Sequence, residues 1–266
     1  MSIPIKFSSG RYVGSKVSES SFRHIITTET VFPQGHTSDW HFHENPHFSH
    51  ILSGGSKEIR TNLTEIQTEG SSLYYYPGIP HQNTSYLAGT RIFNVEFEKE
   101  FFNLNGLTIP EDSKVIWNKK SIASTGLIKI LKEHYYNDIH SQASTELLCI
   151  NLLAEDHQKL KHYPEWTKQI IEVLNDHWNT PLLLSRFAEH LNIHPVTLSK
   201  YFSRYFSCTL GEYFRKLKID RSLSIIRQNR YSLTDIAYQC GFTDQAHFTK
   251  TFRQFTGMTP FQYKKI

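Results

Sequence analysis

Two sets of side chains in this 266-residue sequence are spaced for chemistry. The first is made of imidazoles. His41 and His43 lie two apart, so on a β-strand both rings face the same way. Imidazole nitrogens suit Zn²⁺, Fe²⁺ or Ni²⁺, and they serve equally well as hydrogen-bonding groups in a pocket for an organic molecule. The second set is polar and small. It comprises Gln245, Ala246, His247, Thr249 and Lys250 near the carboxyl end, and His194, Val196, Ser199 and Lys200 earlier in the chain. These residues interleave at helical spacing with Phe248 and Phe252 in one run, and with Leu198 and Phe202 in the other. An exposed helical front of this composition can read a DNA major groove. Gln245 can pair with adenine, Lys200 or Lys250 with guanine, and Val196 or Ala246 with a thymine methyl. Lysine lacks arginine's rigid fork, so either lysine can equally touch phosphate alone. Arg204, Arg215, Arg253, Lys264 and Lys265 are phosphate contacts or simple surface charges.

The elements that must carry the second set are short helices. Ser232 followed by Asp235 is a capping-box-like start, and Leu233, Ile236 and Ala237 give that helix an apolar face. Gly241 ends it, because glycine reaches the left-handed conformation cheaply. Phe242 fills the turn, and Thr243 or Asp244 starts a second helix backed by Phe248, Phe252 and Phe255. Gly257 stops that helix, and Pro260 follows. Two short helices about a glycine turn form a helix-turn-helix.

The same pattern occurs twice. Ala188 corresponds to Ala237, Ile193 to Phe242, Leu198 to Phe248, Lys200 to Lys250, Phe202 to Phe252 and Tyr213 to Tyr263, at an offset of about fifty residues. Asn192 takes the place of Gly241 and tolerates the same backbone conformation. Ser207 and Leu210 replace Gly257 and Pro260, and Leu183 replaces Ser232, which predicts a first unit weakened by about 1 kcal/mol for the missing cap. Leu210–Gln228 follows helical spacing between the units. A helix of ~18 residues spans about 27 Å. Successive groove segments on one DNA face are about 34 Å apart, so one such rod can hold two recognition helices near that separation, with DNA bending where the fit is imperfect.

The run Ile236-Ala237, Gly241-Phe242, Asp244, Phe248, Phe252, Gly257, Pro260 and Tyr263 resembles the carboxyl-terminal signature of the AraC/XylS transcription regulators. The resemblance implies two helix-turn-helix units joined by a linker helix, with base contacts at the exposed positions named above. It also implies double-stranded DNA and RNA polymerase as partners.

Before about Glu98 the chain reads as β structure. Short runs at Arg11–Val17, His24–Phe32, His50–Ile51 and Ile92–Phe97 are separated by Gly, Pro, Asn and Ser clusters. Gly35, His41, His43, His47 and Gly54 are spaced as in the first cupin motif, with His47 where that family carries glutamate. Gly70 and the run Tyr76 to His81 resemble the second motif more loosely. The likeness implies a cupin-like all-β barrel that senses a small-molecule effector, as many AraC-type proteins carry. In such a barrel His41, His43, His47 and His81 gather at one end, as metal ligands or, with Tyr76, as effector-binding groups. Tyr74, Tyr75 or Tyr76 and Gln82 are further candidates for the lining, while Trp40 and Phe42 alternate with the histidines and belong to the core. No cofactor is required; an effector is expected and a metal is possible. A metal-responsive regulator and a metal-dependent cupin enzyme with a DNA-binding tail are the alternatives.

Two helices follow, about Lys120–Asn137 and Ser141–His162. Leu127, Leu131 and Tyr135, then Leu148, Leu152 and Leu153, widened by Leu147 and Ile150, form apolar stripes. They suit packing on the barrel, and the family resemblance adds pairing in a homodimer. Pro164 marks the boundary, so the expected domains are residues 1–118 (barrel), 119–162 (helical dimerisation segment) and 163–266 (all-α DNA-binding domain). From Tyr163 onward there are 14 Lys/Arg against 8 Asp/Glu, and before it 15 against 17. A basic carboxyl-terminal third suits a polyanion. Cys149, Cys208 and Cys240 form neither a disulfide framework nor a zinc motif. The amino terminus is too polar for a signal peptide, and no apolar stretch spans a membrane, which leads to a cytoplasmic protein without membrane contact.

Overall fold

The computed structural model describes residues 3–61, 63–110, 120–154, 165–180, 184–206 and 208–266. Contacts divide the chain into two compact units, residues 1–155 and residues 156–265.

The first unit is β-rich. Its strands are β1 (Ile5–Phe7), β2 (Ser15–Phe22), β3 (Ile25–Phe32), β4 (His41–His43), β5 (His47–Ser53), β6 (Gly55–Arg60), β7 (Leu63–Thr68), β8 (Ser72–Tyr75), β9 (His81–Thr84) and β10 (Thr90–Phe97). They form two five-stranded sheets, ordered β1-β4-β9-β6-β7 and β2-β3-β10-β5-β8. No ladder joins one sheet to the other among the described residues, so the expected closed barrel is instead a pair of open sheets that face each other. Gly54 and Gly55 carry the chain across. At Gly55 a Cβ would fall 2.2 Å from the Gln67 carbonyl oxygen, so the crossing needs a residue without one.

β10 lies central in its sheet, between β3 and β5. Ile92 and Asn94 face the second sheet, while Phe93, Val95 and Phe97 face outward, and both sets are buried. The expected strand at Arg11–Val17 is mostly loop. β2 starts at Ser15, because Gly14 turns the chain at φ 98° and lets Tyr12 and Val13 fold into the space between the sheets. Trp40 and Phe42, expected in the core, are only half-buried, since their face of β4 is not packed as the histidine face is. A short helix missed in the sequence, α1 (Lys99–Asn105), buries Phe101 and Phe102 beside Phe97 and ends at Gly106 with φ 61°.

Helices α2 (Lys120–Tyr136) and α3 (Ser141–Ala154) pack on each other and on this unit. Leu127, Ile128, Ile130 and Leu131 are fully buried. His134 bridges the helix to the sheet, its Nε2 against Ser18 Oγ at 2.7 Å and its Nδ1 against Thr27 Oγ1 at 2.8 Å. The inward face of α3 is Ser141, Thr145, Cys149 and Leu153; of the expected leucine stripe Leu153 is buried, while Leu148 and Leu152 are half-buried and Leu147 is 60% exposed. Leu152 fits over Gly126 of α2. The expected end of this helix near His162 and the boundary at Pro164 lie outside the described residues.

The second unit is helical: α4 (Glu165–Asp176), α5 (Leu184–His190), α6 (Pro195–Phe206), α7 (Leu210–Arg227), α8 (Leu233–Gln239), α9 (Gln245–Thr256) and α10 (Pro260–Lys264). Ser232 and Asp235 form the expected capping box of α8, Asp244 caps α9, and Gly257 closes α9 at φ 78°. Asn192 adopts φ 52° where the second unit has Gly241 at 69°. The repeat extends further than its sequence suggested. Thr209 with Glu212 builds a capping box at the start of α7, as Thr259 with Gln262 does for α10, so the first unit makes its final turn without the glycine and proline. Leu183 and Ser207 lie outside the described residues.

Candidate functional site

The helical unit exposes two faces with a common plan. Leu198 and Phe202 on α6, and Phe248 and Phe252 on α9, are completely buried. Opposite them His194, Val196, Ser199 and Lys200 are exposed, as are Gln245, Ala246, His247 and Lys250; Thr249 is half-buried. Phe255, expected on the inner row, is half-buried at its margin. The start of each recognition helix is held by a side chain. Val196 N–H donates to His194 Nδ1 at 3.3 Å, which leaves the His194 proton on Nε2. His247 N–H donates to Asp244 Oδ1 at 2.7 Å. Along α9 an open groove of about 860 Å³ is lined by Gln245, Ala246, Thr249 and Lys250 together with Arg253, Gln254 and Thr259. Gln254 and Thr259 were missed in the sequence. They fall one further turn along the helix and at the next cap, where the same spacing would have placed them.

The rod between the two faces, α7, is not merely a spacer. The Lys218 ammonium is buried and donates to the Gly241 carbonyl oxygen at 2.8 Å. It sits 4.9 Å from the centre of the Phe214 ring and 5.7 Å from that of Phe242. Burial holds its pKa below the usual lysine value. On the other side of the turn, a Cβ on Gly241 would fall 2.1 Å from the Asn179 carbonyl oxygen. The turn of the second unit is therefore clamped between the rod and the segment that precedes α5.

In the β unit, the space between the sheets is a small polar cavity of about 40 Å³. His41, His43 and His81 line it from one sheet and His47 and Tyr75 from the other, with Tyr12 from the loop before β2. Strand pairing brings the motifs together, since His41 and His81 are direct partners between β4 and β9. One nitrogen from each of His41, His43 and His81 lies within 4.8 Å of the others. His41 Nδ1–H donates to the Asp39 carbonyl oxygen at 2.8 Å, and His81 Nδ1–H donates to that of Ile79 at 3.1 Å. A carbonyl only accepts, so in both rings Nε2 keeps its lone pair. His43 Nδ1 is buried without a hydrogen-bond partner.

Burial lowers the pKa of all four rings, that of His47 to about 3. They are neutral, the state a metal ligand requires. Three imidazoles about a Zn²⁺ ion would stand about 3.4 Å apart, so the donor set fits a divalent ion after small ring movements. His47 is set aside from this trio. Its ring stacks on Tyr75 at 4.5 Å and edges onto His43 at 4.4 Å.

Two expectations for the lining are corrected. β8 ends at Tyr75, and alternation turns Leu73 and Tyr75 inward, so Tyr76 does not line the cavity. Gln82 faces away for the same reason and donates to the Ser38 carbonyl oxygen. Tyr12 carried no periodic signal. Glu96 fixes it, accepting from the phenol at 2.8 Å, from Asn45 Nδ2 at 2.9 Å and from Gly10 N–H.

Comparison with known proteins bears on the helical unit. A helix-turn-helix domain family matches residues 187–266. The regulator GbdR of Pseudomonas aeruginosa is 24% identical over 179 residues, covering 64% of this chain and 44% of that protein. The transcriptional activator RhaS of Escherichia coli is 28% identical over 129 residues, covering 47% of this chain and 46% of its own length. The chain thus spans about half the length of the curated relatives it matches. Among solved structures, ToxT of Vibrio cholerae aligns over 91% of this chain and 98% of its own, with 13% identity and a TM-score of 0.38. Among the described residues, no helix is long and apolar enough to cross a membrane. The chain therefore carries a helix-turn-helix domain at its carboxyl end, similar to that of the transcription regulators named above.

Proposed function

We propose that the chain is a sequence-specific DNA-binding transcription regulator, cytoplasmic and controlled by a small-molecule effector taken up between the two sheets. The observation that carries this is the pair of exposed polar faces on α6 and α9, each backed by fully buried aromatic or leucine side chains. His194, Val196, Ser199 and Lys200 contact one groove, and Gln245, Ala246, His247, Thr249 and Lys250 the next. Arg253 lies on the same groove of the surface and supplies a phosphate contact. An effector acts by binding one arrangement of the protein better than another. A homodimer through α2 and α3 is supported by the exposure of Tyr136, Ile139 and Leu147, and RNA polymerase is the partner that such a regulator addresses. The named relatives are regulators, so an enzyme is not the function adopted.

The test is fluorescence anisotropy of the full chain on duplexes from the promoter region of its own gene. Affinity should fall steeply between 50 and 200 mM salt, about tenfold or more for a few phosphate contacts. Binding that ignores salt, or no binding to any such duplex, would refute the proposal.

A second possibility concerns the effector, and the imidazole trio favours it. The nitrogens of His41, His43 and His81 lie within 4.8 Å of one another at the wall of the cavity between the sheets, close enough for one divalent ion to engage all three after small ring movements. Neutral nitrogen donors select Zn²⁺, Ni²⁺ or Fe²⁺ over Mg²⁺. Metal analysis of the purified chain and of His81→Ala, with DNA binding measured with and without chelator, separates a metal-responsive regulator from one that takes an organic ligand.

A further inference from the structure

Two hydrogen bonds tie the middle of the rod α7 to both helix-turn-helix units. The buried Lys218 ammonium donates to the Gly241 carbonyl oxygen, in the turn of the second unit. One turn along the rod, Arg221 donates from Nη2 to Asn175 Oδ1 at 3.1 Å, at the end of α4. The Asn175 amide is fixed in that orientation, because its Nδ2 donates to the Ile171 carbonyl oxygen at 2.8 Å and a carbonyl only accepts. The segment that leaves α4 then brings the Asn179 carbonyl oxygen to the place where a Cβ on Gly241 would stand. The leading helix of the first unit, the rod and the turn of the second unit thus meet at one junction.

The repeat shows that the folded unit does not itself require this lysine. Ile170 and Leu174 of α4 correspond to Ile219 and Leu223 of α7, at the offset that relates Ala188 to Ala237, and all four are completely buried. α4 is therefore the first unit's counterpart of the rod, and the position matching Lys218 holds Gln169, which is exposed. A buried ammonium is costly unless it is hydrogen-bonded, and here the bond is directional and runs from the rod to the turn. We infer that Lys218 and Arg221 are positioning residues that fix the separation and twist between the two recognition helices, so that the chain selects bipartite sites of one spacing. This rests on the DNA-reading function proposed above. Adding one base pair between two half-sites moves the second by about 3.4 Å and turns it by about 35°. Units joined only through the ends of a rod could pivot to follow that change. A rod tied at its middle to both units passes the mismatch to the DNA, which must twist or bend to absorb it.

The test begins with selection of a site by the full-length chain from a randomised duplex library. Duplexes with one base pair added or removed between the selected half-sites are then titrated with the wild type, Lys218→Met, Arg221→Ala and Ser232→Ala. On either change the wild type should lose affinity about tenfold, the scale of one mismatched base pair, and the two junction variants about threefold or less. Both variants should read the same bases within each half-site. Ser232→Ala weakens the second unit at a helix cap away from the junction, so it should keep the wild-type penalty and show that lost stability alone does not widen the spacing. Arg221 is exposed, so its variant decides the question if Lys218→Met fails to fold. The inference is overturned if the wild type enriches a single half-site or tolerates both changes, if either junction variant that folds retains the full penalty, or if Ser232→Ala loses it as well. A wild-type chain that enriches no sequence overturns the DNA-reading function itself.

Discussion

Gly241 shows how a single residue can carry the geometry of a whole motif. Its backbone lies at φ 69°, and the Asn179 carbonyl oxygen occupies the place a Cβ would take. Gly241→Ala combines the left-handed penalty with a backbone clash, so it should destabilise the carboxyl-terminal unit by about 2 kcal/mol or more. Thermal melting of the full chain reads this directly; an unchanged transition would mean that the turn is not clamped as described. Lys218 acts from the other side. Lys218→Met keeps the stem over Phe214 and Phe242 but leaves the Gly241 carbonyl oxygen without its donor. The expected cost is about 1–3 kcal/mol, with Lys218→Arg a poor rescue because the larger fork must fit a buried slot. Neither role could be foreseen. A lysine at a buried helical position reads as a surface charge until the turn of another motif is placed over it.

Among the elements, the helices with their own punctuation are the ones the sequence revealed. Capping boxes act locally, so Ser232→Ala and Thr209→Ala should each cost about 1 kcal/mol, and should fall together with loss of the hydrogen bonds to Asp235 and Glu212. Equal stability of the Thr209→Ala chain would argue against the box at the start of α7. Glycine, asparagine and proline at fixed offsets disclosed both motifs before any packing was known. The outer features were harder to read. On α3 the leucines suggested the inner face, yet the buried row is Ser141, Thr145, Cys149 and Leu153, and Leu152 lies half-buried over Gly126 of α2. On β8, three consecutive tyrosines offered two possible parities. The end of the strand at Tyr75 and its pairing with His47 decided which ring faces the cavity. The pairing of His41 with His81 is a contact between residues forty apart, which a motif can hint at and only register can place.

At the scale of the β-rich unit, five histidines share one constraint. His41, His43, His47, His81 and His134 all have pKa values lowered by burial from the ordinary 6.5, so the folded unit holds them neutral. In the unfolded chain each takes up a proton as pH falls below about 6.5. The unfolded state then binds more protons than the folded one, and stability must rise with pH across that window. Stability is complete above the unfolded value and drains away as pH drops toward the lowered folded values, reaching down to about 3 for His47. Each ring adds a slope of up to about 1.4 kcal/mol per pH unit, so the metal-free unit should lose several kcal/mol between pH 6.5 and 5. Burial raises the pKa of Glu96, which works in the opposite sense. Melting curves recorded in chelator from pH 8 to 5 should show a falling midpoint below 6.5, shallower in His134→Asn and in His47→Gln. Saturating Zn²⁺ should lift the midpoint most near neutral pH, where the trio is free of protons and the ion has no competitor. A midpoint that is flat across pH 8 to 5 in chelator would mean that these rings are hydrated and charged in the folded unit, and their burial between the sheets would have to be abandoned.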